Sequence, residues 1–390
     1  MKKHLIPGLL LLAALSSCIY DYTPDYQGVS GFLVVEGDVI IGEVCEFRVF
    51  PSTTLDDDAV MTTTGYPVSA RVETDNGKTY GSGTSTVDLT DADLSRSYRL
   101  LLDVSLPTGG TAHYATPFQP VQVAPAIDSV TYQIDGSQMD IRVSTHSDGE
   151  KGYYHWKASE TWEYHTDYYA THYYEPEHRL PDGSFVAGEV YPYENGENTY
   201  YCWDSDLRSE IMVGSTLDLV EDKIVNHQLY SLGDHERKVS YIYSVEIEQS
   251  RLSPEGYRYM QNVSRNTTDV GGLFSPEPSE MRGNIVNVND STDVLIGFVN
   301  VTTVSRKRIF ILNSETHFSR MRIEGFDPLI PIRRDWSKTY KNGYLVTVPQ
   351  LDEKTGLETG LYEWQPARCV DCRKLGGNKE RPSYWINQDL

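Results

Sequence analysis

Apolar residues in this chain recur at every second position, and that spacing limits its fold more than any other feature. Tyr98, Leu100, Leu102, Val104 and Leu106 form one stripe. Cys45, Phe47 and Val49 form another within the run Val44–Phe50, and Val68, Ala70 and Val72 a third, with Ser69, Arg71 and Glu73 between them. A strand sends successive side chains to opposite faces, so a period of two describes a sheet with one face in a core. Asp75-Asn76-Gly77-Lys78 then predicts a type I′ hairpin turn, because Asn-Gly tolerates positive φ. Short strands at this spacing predict an immunoglobulin-like β-sandwich over residues 31–124.

The run Val123–Asp128 marks a boundary. Strand patterns resume at Ser129–Ile134 and Met139–Ser144, and later at Ser240–Gln249, Val294–Val301 and Arg308–Leu312. Residues 125–390 are therefore expected to form a larger β-rich domain with one or two short helices. One helix is legible: Ser253 can cap it, Pro254 suits its first position, and Glu255 favours its dipole. Tyr257, Met260 and Val263 would be its buried face. The fold class is mainly β.

The N-terminus points to export. Lys2, Lys3 and His4 precede an apolar run, Leu5–Leu15, that is too short to span a bilayer. Leu15-Ser16-Ser17-Cys18 reads as a lipobox, in which small residues precede the cut and the Cys18 thiol takes the diacylglycerol. Residues 1–17 would then be the signal peptide, and 18–30 a polar tether. Buried acyl chains contribute about 0.8 kcal/mol per CH₂, so several of them hold a protein at a membrane.

Charge narrows the partners. The chain carries a formal charge of −22, which repels phosphate backbones and argues against nucleic acid. It also gives no help in lying on anionic lipid, so membrane attachment falls to the expected lipid. Export permits disulfides. Cys369-Val-Asp-Cys372 lacks the second CxxC of a zinc site. A structural disulfide is expected to involve Cys369 or Cys372, with Cys202 a candidate partner, and Cys45 reads as a buried free thiol.

Residues 153–203 form an aromatic insertion holding eleven Tyr, three Trp and four of the ten His. Tyr168-Tyr169, Tyr173-Tyr174 and Tyr200-Tyr201 are paired, and on a strand each pair puts one ring on each face. Displayed Tyr and Trp make contact at low entropy cost. Tyr168, Tyr169, Tyr173, Tyr174, Trp162 and Trp203 are therefore the candidate ligand or partner surface, and the bland alternative is a two-sided sheet interior. His155, Glu160, Glu163, His165, Asp167, His172, Glu175 and His178 could supply a metal. No HExxH occurs, however, and scattered surface histidines are the simpler reading. Asp56-Asp57-Asp58 and Asp88, Asp91 and Asp93 lack the spacing of a calcium loop. No GxSxG, P-loop or GxGxxG is present. No metal, cofactor or catalytic residue is expected.

Ten stretches in order resemble a Bacteroidetes lipoprotein family known as domain of unknown function 4249. They begin with Leu33-Val-Val-Glu-Gly37, Pro67-Val-Ser-Ala-Arg-Val72, Pro125-Ala-Ile-Asp-Ser129, Trp162-Glu163 and Cys202-Trp203. Tyr243-Ser-Val-Glu-Ile-Glu-Gln249, Gly271-Gly-Leu-Phe-Ser-Pro276, Gly283-Asn-Ile285, Leu295-Ile-Gly-Phe298 and Cys369-Val-Asp-Cys372 complete the series. The resemblance implies an outer-membrane lipoprotein, often encoded beside a TonB-dependent receptor, and no known reaction. Asp21 and Asp25, just after Cys18, are a weak form of the acidic signal that accompanies export to the cell surface in that phylum. Asp128-Ser129-Val130 and Asp290-Ser291-Thr292 resemble its O-glycosylation sequon, which makes Ser129 and Ser291 candidate acceptors.

The expected function is non-catalytic: an outer-membrane-anchored, cell-surface lipoprotein that binds a ligand or assists a TonB-dependent β-barrel transporter. A stand-alone glycan- or peptide-binding protein is the alternative, and a secreted hydrolase ranks third.

Overall fold

The computed structural model describes residues 32–52, 65–107, 109–194, 199–268, 282–290, 292–320 and 327–386. The fold is mainly β, with helices Pro254–Thr268, Asn313–Thr316 and Trp336–Lys341 among the described residues.

The expected stripes face inward. Tyr98, Leu100, Leu102 and Val104 are fully buried along strand Ser97–Ser105, with polar or half-buried residues between them. Each such aliphatic side chain contributes about 1.5–3 kcal/mol by leaving water. Val44–Phe50 is two strands rather than one. Val44–Glu46 pairs with Thr86–Asp88, whereas Arg48–Pro51 pairs with Leu33–Glu36. Phe47, fully buried between them, is where the chain changes sheets, as at a sandwich corner. The hairpin at Asp75–Lys78 also differs from expectation. Gly77 alone has positive φ there (87°), Gly77 N–H donates to Thr74 O, and Thr74 N–H donates to Lys78 O. That is a three-residue loop with a bulge at glycine, favoured because Thr74 Oγ1 also accepts from Lys78 N–H at 3.0 Å.

Residues 31–124 do not complete the first unit. A new sheet begins at Ile127, but Arg282–Asn287 and Val294–Ile296 return to the first sheet. There Val294–Ile296 lies parallel to Leu33–Glu36, with Leu33 opposite Leu295. Val39–Ile40 likewise runs parallel to Val301–Thr302. Parallel neighbours need a crossover connection, and here the intervening chain holds most strands of the second unit as well as the rest of the first sheet. Ile285, Leu295, Val299 and Val301 share one core with Val35, Phe47 and Leu102.

The second unit packs two sheets face to face. One is Ile127–Asp135, Gln138–His146 and Lys223–Gly233. The other is centred on the long strand Tyr153–His165, flanked by Ile242–Leu252 on one side and by Tyr201–Leu207 and Met212–Ser215 on the other. Ile141, Val143, Trp156, Val245 and Ile247 meet between them. A third, smaller core holds Tyr174, Val190, Trp336, Val346 and Trp364. It lies under the hairpins His172–Glu175/Glu189–Pro192 and Tyr344–Leu351/Glu358–Pro366 and helix Trp336–Lys341.

The long helix begins as read. Ser253 Oγ accepts from Gly256 N–H at 3.0 Å, and Pro254 is its first residue. Its face is shallower than expected: Tyr257, Met260 and Val263 are half-buried. Among the helix residues whose burial is described, Gly256 is the buried one, because the helix crosses so close to Asn300 that a Cβ there would meet Asn300 Oδ1.

Candidate functional site: a tyrosine surface and a cleft

The aromatic insertion divides in two. Along Tyr153–His165 both faces are largely covered: Tyr154, Trp156, Ala158, Glu160, Trp162 and Tyr164 on one, His155, Thr161 and Glu163 on the other. The two-sided interior is correct for this half. Trp162 is buried, with the Lys238 ammonium 4.9 Å from its ring centre, so it is not a contact residue. Trp203 is half-buried, its backbone bonded in both directions to Asn378 at 2.8 Å.

Beyond His165 some of the rings are exposed. Tyr168 and Tyr169 lie in a bend and the coil after it rather than in a strand; Tyr168 is half-buried and Tyr169 is 49% exposed. Tyr173 and Tyr174 do split as period two requires, Tyr173 outward and Tyr174 into the third core. Tyr200 stands edge-on to Tyr169 (5.3 Å between centres) and to Tyr201 (5.5 Å). His165 lies 5.0 Å from Tyr200, 5.3 Å from Tyr201 and 3.7 Å from Tyr241. A second group puts Tyr173 against Tyr191 and Tyr193. Rings packed edge-on or tilted against one another restrict each other, so less rotamer entropy remains to be lost on contact.

A disulfide fixes this surface from below. Cys202, next to Tyr201, is bonded to Cys372. Cys369 is not the partner; it and Cys45 are buried free thiols. Burial pushes both thiols up, Cys45 to about 11. The tail is further held by Cys372 N–H to Thr199 O (3.0 Å) and Tyr168 N–H to Cys369 O (3.1 Å). Further along, Asn378 pairs with Trp203 and so covers part of the free edge of strand Tyr201–Leu207.

A buried charge network escaped the sequence reading. Glu160, with no exposed side-chain surface, accepts from Arg208 Nη1 (3.1 Å), Lys238 Nζ (2.6 Å) and Tyr243 OH (2.6 Å). Tyr243 OH also meets Tyr230 OH at 2.8 Å, and the Arg208 guanidinium lies 4.0 Å over the Tyr230 ring. Burial pushes both phenols well up. The signal was available: Glu160 occupies an inward position of the stripe that runs from Tyr154 to Tyr164. A carboxylate there needs partners.

The metal candidates are scattered. Glu163 bonds His165 Nε2 (2.8 Å) and Trp385 Nε1 (3.0 Å). His155 is buried, His172 half-buried and His178 exposed. Among the described residues no three His, Cys, Asp or Glu side chains gather to hold a metal. Asp88 and Asp93 instead accept hydrogen bonds inside their own loops, from Thr90 and Ser95. Ser129 is half-buried on strand Ile127–Asp135, opposite Ser144. Cys18, Asp56-Asp57-Asp58 and Ser291 lie outside the described residues. Among the described residues no helix is long and apolar enough to cross a membrane.

A cleft lies elsewhere. It measures about 710 Å³ and separates the start of helix Pro254–Thr268 from the first sheet, with Phe118, Tyr259, Phe298, Gln119, Asn284 and Arg258 in its walls. Tyr259 and Phe298 are 5.6 Å apart, and the Arg99 guanidinium covers Phe118 at 4.6 Å. Gln119 and Asn284 both donate to Val299 O, which fixes their amides. Its walls come from four distant segments, so no local pattern announces it.

Fold and surface together define a mainly β protein with exposed tyrosines gathered on the aromatic insertion. The chain belongs to the family described as Domain of unknown function (DUF4249), whose model matches residues 19–308. No curated protein matches it. Among solved structures, one titled for the promiscuous specificity of carbohydrate-binding modules of the β-sandwich superfamily aligns at 11% identity. It covers 52% of this chain and 94% of that one, with a TM-score of 0.13, too low for fold or ligand to be argued from it.

Proposed function

We propose that this protein is a non-catalytic binding protein held at the outer membrane by lipid on Cys18, facing the cell surface and assisting a TonB-dependent β-barrel transporter. The ring cluster of exposed Tyr169 and Tyr201, with half-buried Tyr200, His165 and Tyr241 behind them, on backbone held by a disulfide, carries the binding part of the reading. A lipid tether would confine both proteins to one plane, raising effective concentration so that a modest interface suffices. The reading takes no cofactor, no nucleic acid and no catalytic residue. Tagged protein purified from native membranes in mild detergent should bring down a β-barrel, and Tyr169→Ala with Tyr201→Ala should reduce its recovery. Recovery of the lipoprotein alone would overturn the partnership. Failure of labelled palmitate to enter the mature chain would overturn the anchor.

The cleft beside the helix start favours a second reading, a stand-alone glycan- or peptide-binding protein. Aromatic walls with fixed amides suit a neutral, polar ligand. In that case the purified chain binds its ligand with no barrel present, and Tyr259→Ala weakens binding where Tyr169→Ala does not.

A further inference from the structure

The third core ends in a corner whose apolar side chains point into solvent. Phe185 is 64% exposed, Ile332 46%, Ile330 43% and Leu180 42%. They sit on held backbone. Phe185 pairs with Arg179 across a short hairpin, and Leu180 N–H donates to Ser184 O at 3.0 Å to close its turn. Leu329, just before Ile330, exchanges two backbone hydrogen bonds with Trp364 (3.0 and 2.8 Å), and Trp336 Nε1 donates to Pro331 O at 3.2 Å. Hairpin and loop are neighbours, since Phe185, Arg333 and Arg334 line one shallow hollow.

We propose that this corner, formed by Leu180, Phe185, Ile330, Ile332, Arg333 and Arg334, rests in the headgroup interface of a zwitterionic phospholipid bilayer. Apolar side chains kept in water by rigid backbone are a cost unless something covers them. The arginines beside them decide what the cover is. A guanidinium can stay at phosphate level while the neighbouring aliphatic side chain goes below it, the arrangement found where a surface segment lies in lipid. Arg334 has 82% of its side chain exposed, with Asp335 at 3.8 Å. Arg333 is paired with Glu189. Arg179 donates to Gly183 O at 3.2 Å. Asp182, in the turn of the hairpin, is the third acid, so Arg179, Arg333 and Arg334 are matched by Asp182, Glu189 and Asp335, whereas the chain as a whole carries −22. A balanced, apolar corner on an acidic body fits a bilayer of zero net charge and is repelled from an anionic one. The contact deepens the membrane reading above but does not need the Cys18 thioether.

The test uses the chain from Ile19 onward, which keeps all three cores and has neither acyl chain nor signal peptide. It should sediment with phosphatidylcholine vesicles at physiological salt. Replacing a third of the lipid with phosphatidylglycerol should lower the partition coefficient severalfold, and raised salt should restore it. Ile330→Asp with Ile332→Asp, and separately Phe185→Asp, should each reduce partition by about tenfold or more, with near-ultraviolet circular dichroism unchanged. The two sets of substitutions lie on different elements, so a folding defect in one leaves the other to decide. A parent chain that does not sediment with phosphatidylcholine, or variants that sediment as well as it does, would overturn the proposal. So would a concentration-dependent dimer that both variants abolish without vesicle binding, which would make the corner an interface between copies. Failure of palmitate labelling would leave it standing, so the two readings fail separately.

Discussion

Replacing Cys202 and Cys372 together by alanine should cost about 3–5 kcal/mol of stability. The bridge closes a loop with a sequence separation of 170. The chain-entropy relation then gives about 5 kcal/mol at 25 °C, an upper figure because residual structure in the unfolded chain already shortens the loop. Both sulfurs are fully buried, so some packing is lost as well. The assay is urea denaturation of parent and double variant at one pH, without reductant, read by near-ultraviolet circular dichroism. With three cores the transition is expected in more than one step. The loss should fall on the step that frees strand Tyr201–Leu207 and the tail around Asn378, and amide exchange can locate it there. Cys369→Ala removes a thiol and no bridge, and should cost only about 1 kcal/mol. The reasoning is refuted if the double variant loses less than about 1 kcal/mol, or if peptide mapping of native protein finds Cys369 joined to Cys372.

Other perturbations probe the rest of the molecule. Glu160→Ala leaves Arg208 and Lys238 without their shared buried partner and should cost about 3 kcal/mol in a urea titration, with Glu160→Gln costing less because it keeps an acceptor. Burial pushes the His155 imidazole down to about 4, with the Lys157 ammonium acting in the same direction. The unfolded chain takes up that proton near pH 6.5, so between pH 6.5 and 4 it binds more protons than the folded one, and stability falls as pH falls. His155→Leu should flatten the urea midpoint across that window, and an unchanged slope would count against the assignment. Gly283→Ala should lower the yield of folded protein, because its Cβ would run into Gly297 O, a backbone atom that cannot swing aside; wild-type yield would mean this strand pair is placed wrongly.

Local features were legible because local physics sets them. The stripe from Tyr98 to Val104, the Ser253 cap and the Pro254 start each follow from residues within a few positions of one another. The Tyr173-Tyr174 split was readable for the same reason. The type I′ turn failed at one hydrogen bond: the Thr74 hydroxyl, outside the four residues considered, favours a longer loop. What could not be read is pairing between distant segments. Val294–Ile296 reads as a strand from its own residues, but nothing in it names Leu33–Glu36 as its neighbour. Cys369 and Cys372 are equivalent in sequence, and only the placement of Cys202 on an edge strand chooses between them. The cleft likewise exists only after residues near 118, 258, 284 and 298 have met.

The parallel seating of Val294–Ile296 beside Leu33–Glu36 sets an order of events. As the polypeptide emerges from its amino end, the earliest segment to appear is among the last to be finished. Its hydrogen-bonding rim stays open, and its apolar lining stays wet, until some three hundred residues have been made. A fragment stopped near residue 124 should therefore clump rather than fold, and in the living cell that interval is when a holding chaperone has most to protect.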